Sequence, residues 1–381
     1  MKRNPVANLF FILTLFLIAS CGGLQPTLTL ESMDRDYELL VVENKTDLCK
    51  LNSRSGEIEK IMAMGRPILS PVWSPDGQSI AMFLMKDKDF DPFKSDDTAA
   101  DLVVLKVGGF EPQYSGKFEF VQEIDRNGWK FTSITTPVWH PDSKKIFVHD
   151  KSGLKIVVLG DKTVSLIHNS AIHKLDIALS KANVIYSIEK DLFAYNFKTR
   201  KSVEIAALSP TLRLLLKKKI EAIRFSPDEN FLAVAVGNKL ILIDVKTLRE
   251  HVIHNAQNTI YDLVWNPDGT QIAALSGKYA SYASMGIGAA PGGKIPGQFN
   301  VTCVGIDGKK QHKIFENKSF NDVRETSIAY SPDGKWLSFL STTLNDKRRK
   351  ICIASTIGQG WTVLKSGEDY SAHDWRPLSG R

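Results

Sequence analysis

An all-β fold, a β-propeller of four-stranded blades, is predicted for residues 37–381 on three observations. A short phrase built around a Pro-Asp turn recurs along the chain, four of its six intervals falling between 40 and 46 residues. Behind its copies stand apolar runs of the kind carried by strands buried on both faces. The last copy has no strands after it, while the start of the chain offers three strands with no inner partner.

The phrase appears as Val72-Trp73-Ser74-Pro75-Asp76-Gly77, Val138-Trp139-His140-Pro141-Asp142-Ser143, Arg224-Phe225-Ser226-Pro227-Asp228-Glu229, Val264-Trp265-Asn266-Pro267-Asp268-Gly269 and Ala329-Tyr330-Ser331-Pro332-Asp333-Gly334. Two weaker copies are Ala178-Leu179-Ser180-Lys181-Ala182-Asn183, which lacks the proline, and Asp374-Trp375-Arg376-Pro377. Counted at the proline position, the intervals are 66, 40, 46, 40, 65 and 45 residues. A fixed period of about 40 residues marks a propeller or solenoid. Turn chemistry explains the wording. Proline presets φ at the second position of a type I turn, aspartate suits the third, and glycine accepts the left-handed conformation that closes the hairpin.

Each turn is followed by a second strand, as in Ile80–Leu84, Leu232–Val236, Ile272–Leu275 and Trp336–Leu340. Third strands follow at Leu102–Leu105, Lys155–Leu159 and Leu240–Asp244, and a fourth at Glu250–Ile253. Four strands per repeat make a blade. At the chain start, Tyr37–Glu43, Asp47–Leu51 and Glu57–Met62 read as strands two to four of a blade whose innermost strand is the last copy, around Trp375. Seven inner strands with one shared blade give seven blades, closed by pairing of the N- and C-terminal strands, and leave no propagating edge. Six blades is the alternative, if the copy around Lys181 supplies no inner strand.

The Ser-Pro-Asp-Gly phrase with its preceding aromatic resembles the WD-like repeats of TolB-type β-propellers. The resemblance spans Tyr37 to Arg381 and implies the fold; propellers host many unrelated functions, so it does not imply a chemistry. TolB-type proteins carry a separate α/β domain ahead of the propeller, whereas residues 1–36 read here as something else.

Those residues read as export and anchorage. Lys2 and Arg3 precede an apolar stretch from Leu9 to Ile18, too short to span a bilayer as a helix, and then Ala19, Ser20 and Cys21. Residues 1–20 are therefore expected to be a signal peptide. Ile18-Ala19-Ser20-Cys21 resembles the lipobox of bacterial lipoproteins, which implies a diacylglyceryl group on Cys21 and an acylated amine after cleavage. Several acyl chains make a lasting anchor, because each buried methylene contributes about 0.8 kcal/mol. Gly22 in place of an aspartate favours the outer membrane. Residues 21–36, with Pro26, read as a lipidated tether.

The net charge of +7 includes Lys2 and Arg3, leaving +5, and the basic residues are scattered apart from Lys217-Lys218-Lys219 and Lys347-Arg348-Arg349-Lys350. That pattern argues for solubility and against nucleic-acid binding. After Cys21 the cysteines are Cys49, Cys303 and Cys352, an odd number that implies no disulfide framework; three buried side chains within strands are expected.

Function is expected where the long connections gather. Strand alternation puts the Pro-Asp turns on one face, and the stretches Met85–Asp101, Ile124–Thr136, Ala206–Lys219, Gly277–Asn300 and Thr342–Lys350 on the other. Candidate binding residues there are Asp87, Asp89, Phe90, Asp91 and Phe93, Lys217 and Lys218, Tyr279 and Tyr282, and Arg348 and Arg349. The alternating aspartates suggest calcium, but Pro92 and Thr98 stand where a calcium loop of the EF-hand type needs glycine and glutamate. The Gly- and Ala-rich stretch Gly286–Gly297 lacks the strand-to-helix setting of a nucleotide loop and reads as a flexible lid or partner-contact loop. His251 and His254, three apart on a strand, point to opposite faces and cannot clamp one metal. No Gly-x-Ser-x-Gly elbow occurs. No cofactor, metal or catalytic set is expected. The expected function is a monomeric, lipid-anchored scaffold that binds another envelope protein or a peptide. The alternative is a small-ligand binder or metal-dependent enzyme that uses the central channel.

Overall fold

The computed structural model describes residues 33–90, 98–124, 130–133, 136–169, 177–180, 183–188, 191–205, 220–281, 294–317, 328–341, 348–358 and 360–378. Within them the chain forms seven four-stranded antiparallel sheets and one two-stranded hairpin. Numbered by innermost strand, blade 1 is β4 (Ile68–Trp73), β5 (Ser79–Met85), β6 (Ala99–Lys106) and β7 (Glu111–Glu119). Blade 2 is β10 (Val138–Trp139), β11 (Lys145–Asp150), β12 (Gly153–Val158) and β13 (Thr163–His168). Blade 3 is β14 (Ile177–Leu179), β15 (Asn183–Ile188), β16 (Asp191–Asn196) and β17 (Lys201–Glu204), so the copy without proline does supply an inner strand. Blade 4 is β18 (Ile220–Phe225), β19 (Phe231–Val236), β20 (Lys239–Asp244) and β21 (Glu250–Asn255). Blade 5 is β22 (Thr259–Trp265), β23 (Gln271–Ser281), β24 (Lys294–Gly305) and β25 (Gln311–Asn317). Blade 6 is β26 (Ile328–Tyr330), β27 (Trp336–Ser341), β28 (Lys350–Ser355) and β29 (Trp361–Lys365).

Blade 7 closes the ring. Its inner strand is β30 (Tyr370–Trp375), and its others are β1 (Glu38–Glu43), β2 (Asp47–Asn52) and β3 (Ile58–Ala63). β1 and β30 pair antiparallel with Leu39 facing Trp375, Leu40 facing Asp374 and Val41 facing His373. The seam is reinforced at both ends: Asn44 N–H donates to Asp369 O, and Arg376 N–H to Glu38 O, each at 2.9 Å. The Arg376 guanidinium also pairs with the Glu38 carboxylate. Tyr37 meets Trp375 edge to face at 5.8 Å between ring centres.

The core lies between blades. Every residue of β5 is buried, because both of its faces meet neighbouring elements, which is why Ser79–Met85 reads as a continuous apolar run. Three of the tryptophans that stand two positions before a proline do more than fill space. Trp139 Nε1 donates to Val72 O at 3.4 Å, Trp265 Nε1 to Arg224 O at 3.0 Å, and Trp375 Nε1 to Ala329 O at 3.2 Å and Ser338 Oγ at 2.7 Å. In each case the carbonyl belongs to the inner strand of an adjacent blade, so the indole satisfies a backbone acceptor where two sheets meet.

Two expected loops prove to be partly strand. The insertion after Gly277 continues the ladder: β23 and β24 pair out to Ser281 facing Lys294. Its Gly, Ala and Pro content reads as loop because such residues weaken strands, yet Pro296 is accommodated where the register shifts, opposite Tyr279. The connection from blade 1 to blade 2 begins earlier than Ile124 and holds a hairpin, β8 (Val121–Ile124) against β9 (Lys130–Ser133). Cys49, Cys303 and Cys352 are buried and unlinked, on β2, β24 and β28, and burial pushes their thiols up to about 12, 11 and 12.

Candidate functional site

Alternating strand direction gives the ring two unlike faces. On the face reached by the inner turns, connections are uniformly short: residues 74–78, 140–144, 180–182, 226–230, 266–270 and 331–335 join strands one and two of their blades. Residues 53–57, 107–110, 159–162, 197–200, 245–249, 306–310 and 356–360 join strands three and four. None exceeds five residues. The opposite face also has short connections, such as 44–46, 64–67 and 237–238, but it receives all the long ones: residues 86–98, 120–137, 169–176, 205–219, 282–293, 318–327 and 342–349.

The short turns form a collar. Ser74 Oγ donates to Asp76 Oδ1 at 2.6 Å and accepts the Ser79 N–H at 2.8 Å, while Asp76 Oδ1 accepts the Gln78 N–H at 3.0 Å. The same arrangement recurs at Ser226 with Asp228 and at Ser331 with Asp333. The serine belongs to the repeated phrase, and the structure adds its pinning role. A short polar side chain before Pro-Asp is the signal, since such side chains bond the turn's own backbone. His140 and Asn266 take the place of serine, accepting the N–H of Asp142 and Asp268 at 3.2 and 3.1 Å. Gly77, Gly269 and Gly334 hold φ of 65°, 73° and 75°. Ser143 and Glu229 adopt the same left-handed conformation at 57° and 60°, a strained choice for residues with a Cβ. Neighbouring turns touch: Asp76 N–H donates to Ser143 Oγ at 3.1 Å, and Asn266 Nδ2 to Gly334 O at 3.5 Å. The Ser226 hydroxyl holds the Asp228 carboxyl below its ordinary range. Pro75, Asp76, Gly77, Pro141, Asp142, Pro227, Asp228, Pro267, Asp268, Gly269, Pro332, Asp333 and Gly334 thus all sit in this collar.

Of the candidate binding residues on the opposite face, the structure describes some. Asp87 and Asp89 lie together in a turn, with Asp89 N–H donating to Asp87 Oδ1 at 2.9 Å. Phe90 is 3% exposed and belongs to the core cluster that includes Phe83, Phe118 and Phe120, so it roots its loop in the ring. Arg349 grips Asp369 through Nε at 2.9 Å and a terminal nitrogen at 2.7 Å, and Arg348 donates to Gly367 O. These two arginines join the blade 6 connection to the segment leading into β30. Tyr279 lies on β23. Asp91, Phe93, Lys217, Lys218, Tyr282 and Cys21 lie outside the described residues.

A second clamp was not anticipated. Arg66, between blades 7 and 1, donates to Met85 O at 2.7 Å, Leu84 O at 2.8 Å and Asp101 Oδ2 at 2.9 Å. It therefore holds both stems of the residue 86–98 connection, on β5 and β6. A lone arginine in a short connection carries no sequence signal of such a role. Near the hub, Arg224 of β18 pairs with Asp262 of β22 at 3.0 Å, and Asp374 of β30 accepts the Trp73 N–H at 2.8 Å. Burial pushes Asp374 up to about 7, and pushes His149 and His373 down to about 4. Among the described residues, no three His, Cys, Asp or Glu side chains come together as a metal set.

No protein-family model and no curated protein matches the sequence. Solved structures do. A functionally unknown protein from Desulfotomaculum acetoxidans superposes with a TM-score of 0.58 at 12% identity, covering 90% of this chain and 99% of that one. TolB from Acinetobacter baumannii gives 0.51 at 14% identity, over 90% of this chain and 67% of that one. A β-propeller domain from Myceliophteria thermophila gives 0.51 at 10%, over 88% and 90%. At such identities the likeness is one of fold: the chain is a seven-bladed propeller with TolB-like structural neighbours.

Proposed function

We propose that this chain is a lipid-anchored propeller of the bacterial cell envelope, which acts as a monomer and holds another envelope protein or a peptide against its long-connection face. In this reading residues 1–20 are a signal peptide, Cys21 carries the lipid, residues 21–36 form the tether and residues 37–381 the propeller. The outer membrane, periplasmic side, is the proposed address. The charged run, apolar stretch and lipobox-like Ile18-Ala19-Ser20-Cys21 support the anchorage.

One observation carries the binding face: connections of up to five residues on one side of the ring, against several of eight or more on the other. Chain length beyond what a hairpin needs, gathered on one side of a rigid scaffold, is how such folds present recognition surfaces. Arg66 and Arg349 fix stems of two of these connections, which lowers the ordering entropy that binding must overcome. The test is capture from the protein's own membranes after crosslinking, comparing the native chain with one in which residues 86–98 are replaced by a short turn. A specific envelope protein lost with the loop supports the reading, and recovery of the same proteins by both chains contradicts it. Replacing Cys21 with serine is expected to abolish lipid labelling and release the chain from the membrane fraction.

A further inference from the structure

The fold determines which face a tether at the N-terminus can turn toward its membrane. β1 starts, and β30 ends, on the side of the short-turn collar. Met33 is 1% exposed and packs in the blade 7 core with Trp375 and Leu378. The next residue, Asp34, pairs with Lys335, in the inner turn of blade 6. Beside them a cleft of about 300 Å³ is bordered by Asp36, Tyr37, Glu38, the turn residues Asp76–Gln78, and Arg376 and Pro377. The chain is therefore fastened to the collar side up to Met33.

From Met33 back to Cys21 are twelve residues, a reach of about 40 Å fully extended and of roughly 20 Å as a flexible coil. A six-residue strand adds about 20 Å between the two faces. Laying the long-connection face on the bilayer would require the tether to stretch past the height of a blade, whereas laying the collar face on it requires no stretch.

The collar face also carries lipid-compatible chemistry at its periphery. In the three outer turns of blades 3, 4 and 5 the exposed side chains of Lys198, Arg200, Lys246, Arg249, Lys309 and Lys310 outnumber the carboxylates of Asp307 and of Asp244, which caps the blade 4 turn. In the corresponding turn of blade 6, Ile357 is 65% exposed. The acidic residues of this face belong mainly to the inner turns, where serine hydroxyls and backbone N–H groups hold Asp76, Asp228 and Asp333. A basic rim with an exposed aliphatic tip suits an anionic phospholipid surface, which attracts cations held near it.

We infer that the collar face lies toward the membrane, with the basic outer turns of blades 3 to 5 and Ile357 against anionic headgroups, and that the long-connection face points away from it. The inference rests on the lipid anchor at Cys21 and adds the orientation that the anchor imposes.

The test uses the full chain purified from its membranes and bound to vesicles of phosphatidylcholine with phosphatidylglycerol that carry a headgroup energy acceptor. A donor fluorophore is placed through a bioorthogonal side chain at Lys246 on the collar face or at Lys88 on the opposite face. Energy transfer at least two-fold stronger from position 246 is the expected result; equal or reversed transfer in vesicle-bound protein overturns the orientation. A chain that does not float with the vesicles overturns the anchor itself, and the orientation with it. Combining Lys309→Glu and Lys310→Glu with Arg249→Glu is expected to weaken transfer from position 246 on anionic vesicles and leave it unchanged on pure phosphatidylcholine. Equal transfer in the variant and the parent on anionic vesicles overturns the headgroup contact.

Discussion

Asp374 and Trp73 lie far apart in sequence, yet the Asp374 carboxylate accepts the Trp73 backbone N–H at 2.8 Å. The bond runs from the inner strand of blade 7 to that of blade 1, and ties the strand that closes the ring to the next blade. Burial pushes Asp374 up to about 7 from its ordinary 3.8. A raised carboxyl pKa means the folded state holds the proton more tightly than the unfolded one. Its contribution is complete below about pH 4 and is lost as pH rises through 7. Asp374→Asn keeps the acceptor and removes the titration. Thermal melts are expected to show the variant more stable than the parent at pH 8, by about 4 kcal/mol, with the gap closing by pH 4. A gap independent of pH contradicts this.

His149 works in the other direction. Burial pushes it down to about 4, so its contribution is complete above pH 6.5 and lost as pH falls through 4. His149→Gln is expected to flatten the acid limb of the stability curve between pH 6.5 and 4. Denaturant titrations across that range check it, and an unchanged acid limb would show that other groups govern it.

The blade-to-blade indole bonds invite a direct comparison. Trp265→Phe keeps most of the ring but leaves Arg224 O without its 3.0 Å donor, and is expected to cost about 1–3 kcal/mol. Trp265→Ala adds a cavity and is expected to cost about 3–5 kcal/mol. Equal midpoints for the two variants would show that the hydrogen bond contributes nothing.

The collar turns separate strain from space. At Gly334 a Cβ would stand 2.5 Å from Asn266 Oδ1, at a φ of 75°, so Gly334→Ala is expected to destabilise by more than about 1 kcal/mol. Glu229 already adopts φ of 60° with a side chain present, so Glu229→Gly relieves strain there. It is expected to raise the midpoint, by up to about 1 kcal/mol. Chemical denaturation of the pair checks both signs.

Breaking the Arg349–Asp369 grip tests the loop anchorage. Arg349→Met keeps the aliphatic stem and removes two charge-assisted bonds, at 2.9 and 2.7 Å, for a cost of about 1–3 kcal/mol. Limited proteolysis within residues 342–349 is expected to accelerate, while cleavage elsewhere stays at parental rates.

The ring was legible because its determinants are local and repeated. Pro-Asp turns and apolar second strands carry their own chemistry, and even the degenerate Ser180 copy kept enough of it to place β14. The closing blade was legible because Asp374-Trp375-Arg376-Pro377 lacks following strands while β1 to β3 lack an inner one. What sequence could not show was long-range. Phe90 sits among aspartates in a stretch that reads as a candidate binding loop, but it joins the buried core cluster that includes Phe83, Phe118 and Phe120. Arg66 stands thirty-five residues from Asp101, and only the assembled ring brings them to 2.9 Å. Strand limbs around Tyr279 were masked by their Gly and Pro content, because cross-strand pairing overrides weak intrinsic preference.

Ring closure is tested most directly by native-state hydrogen exchange followed peptide by peptide. If β1 and β30 share a sheet as Leu39 facing Trp375 requires, amides of residues 38–43 and 370–375 should exchange as slowly as those of the buried strand Ser79–Met85, and open with it. Fast exchange of either terminal strand, at the rate of the exposed outer strand Thr163–His168, would mean that the ring is open and the account is wrong.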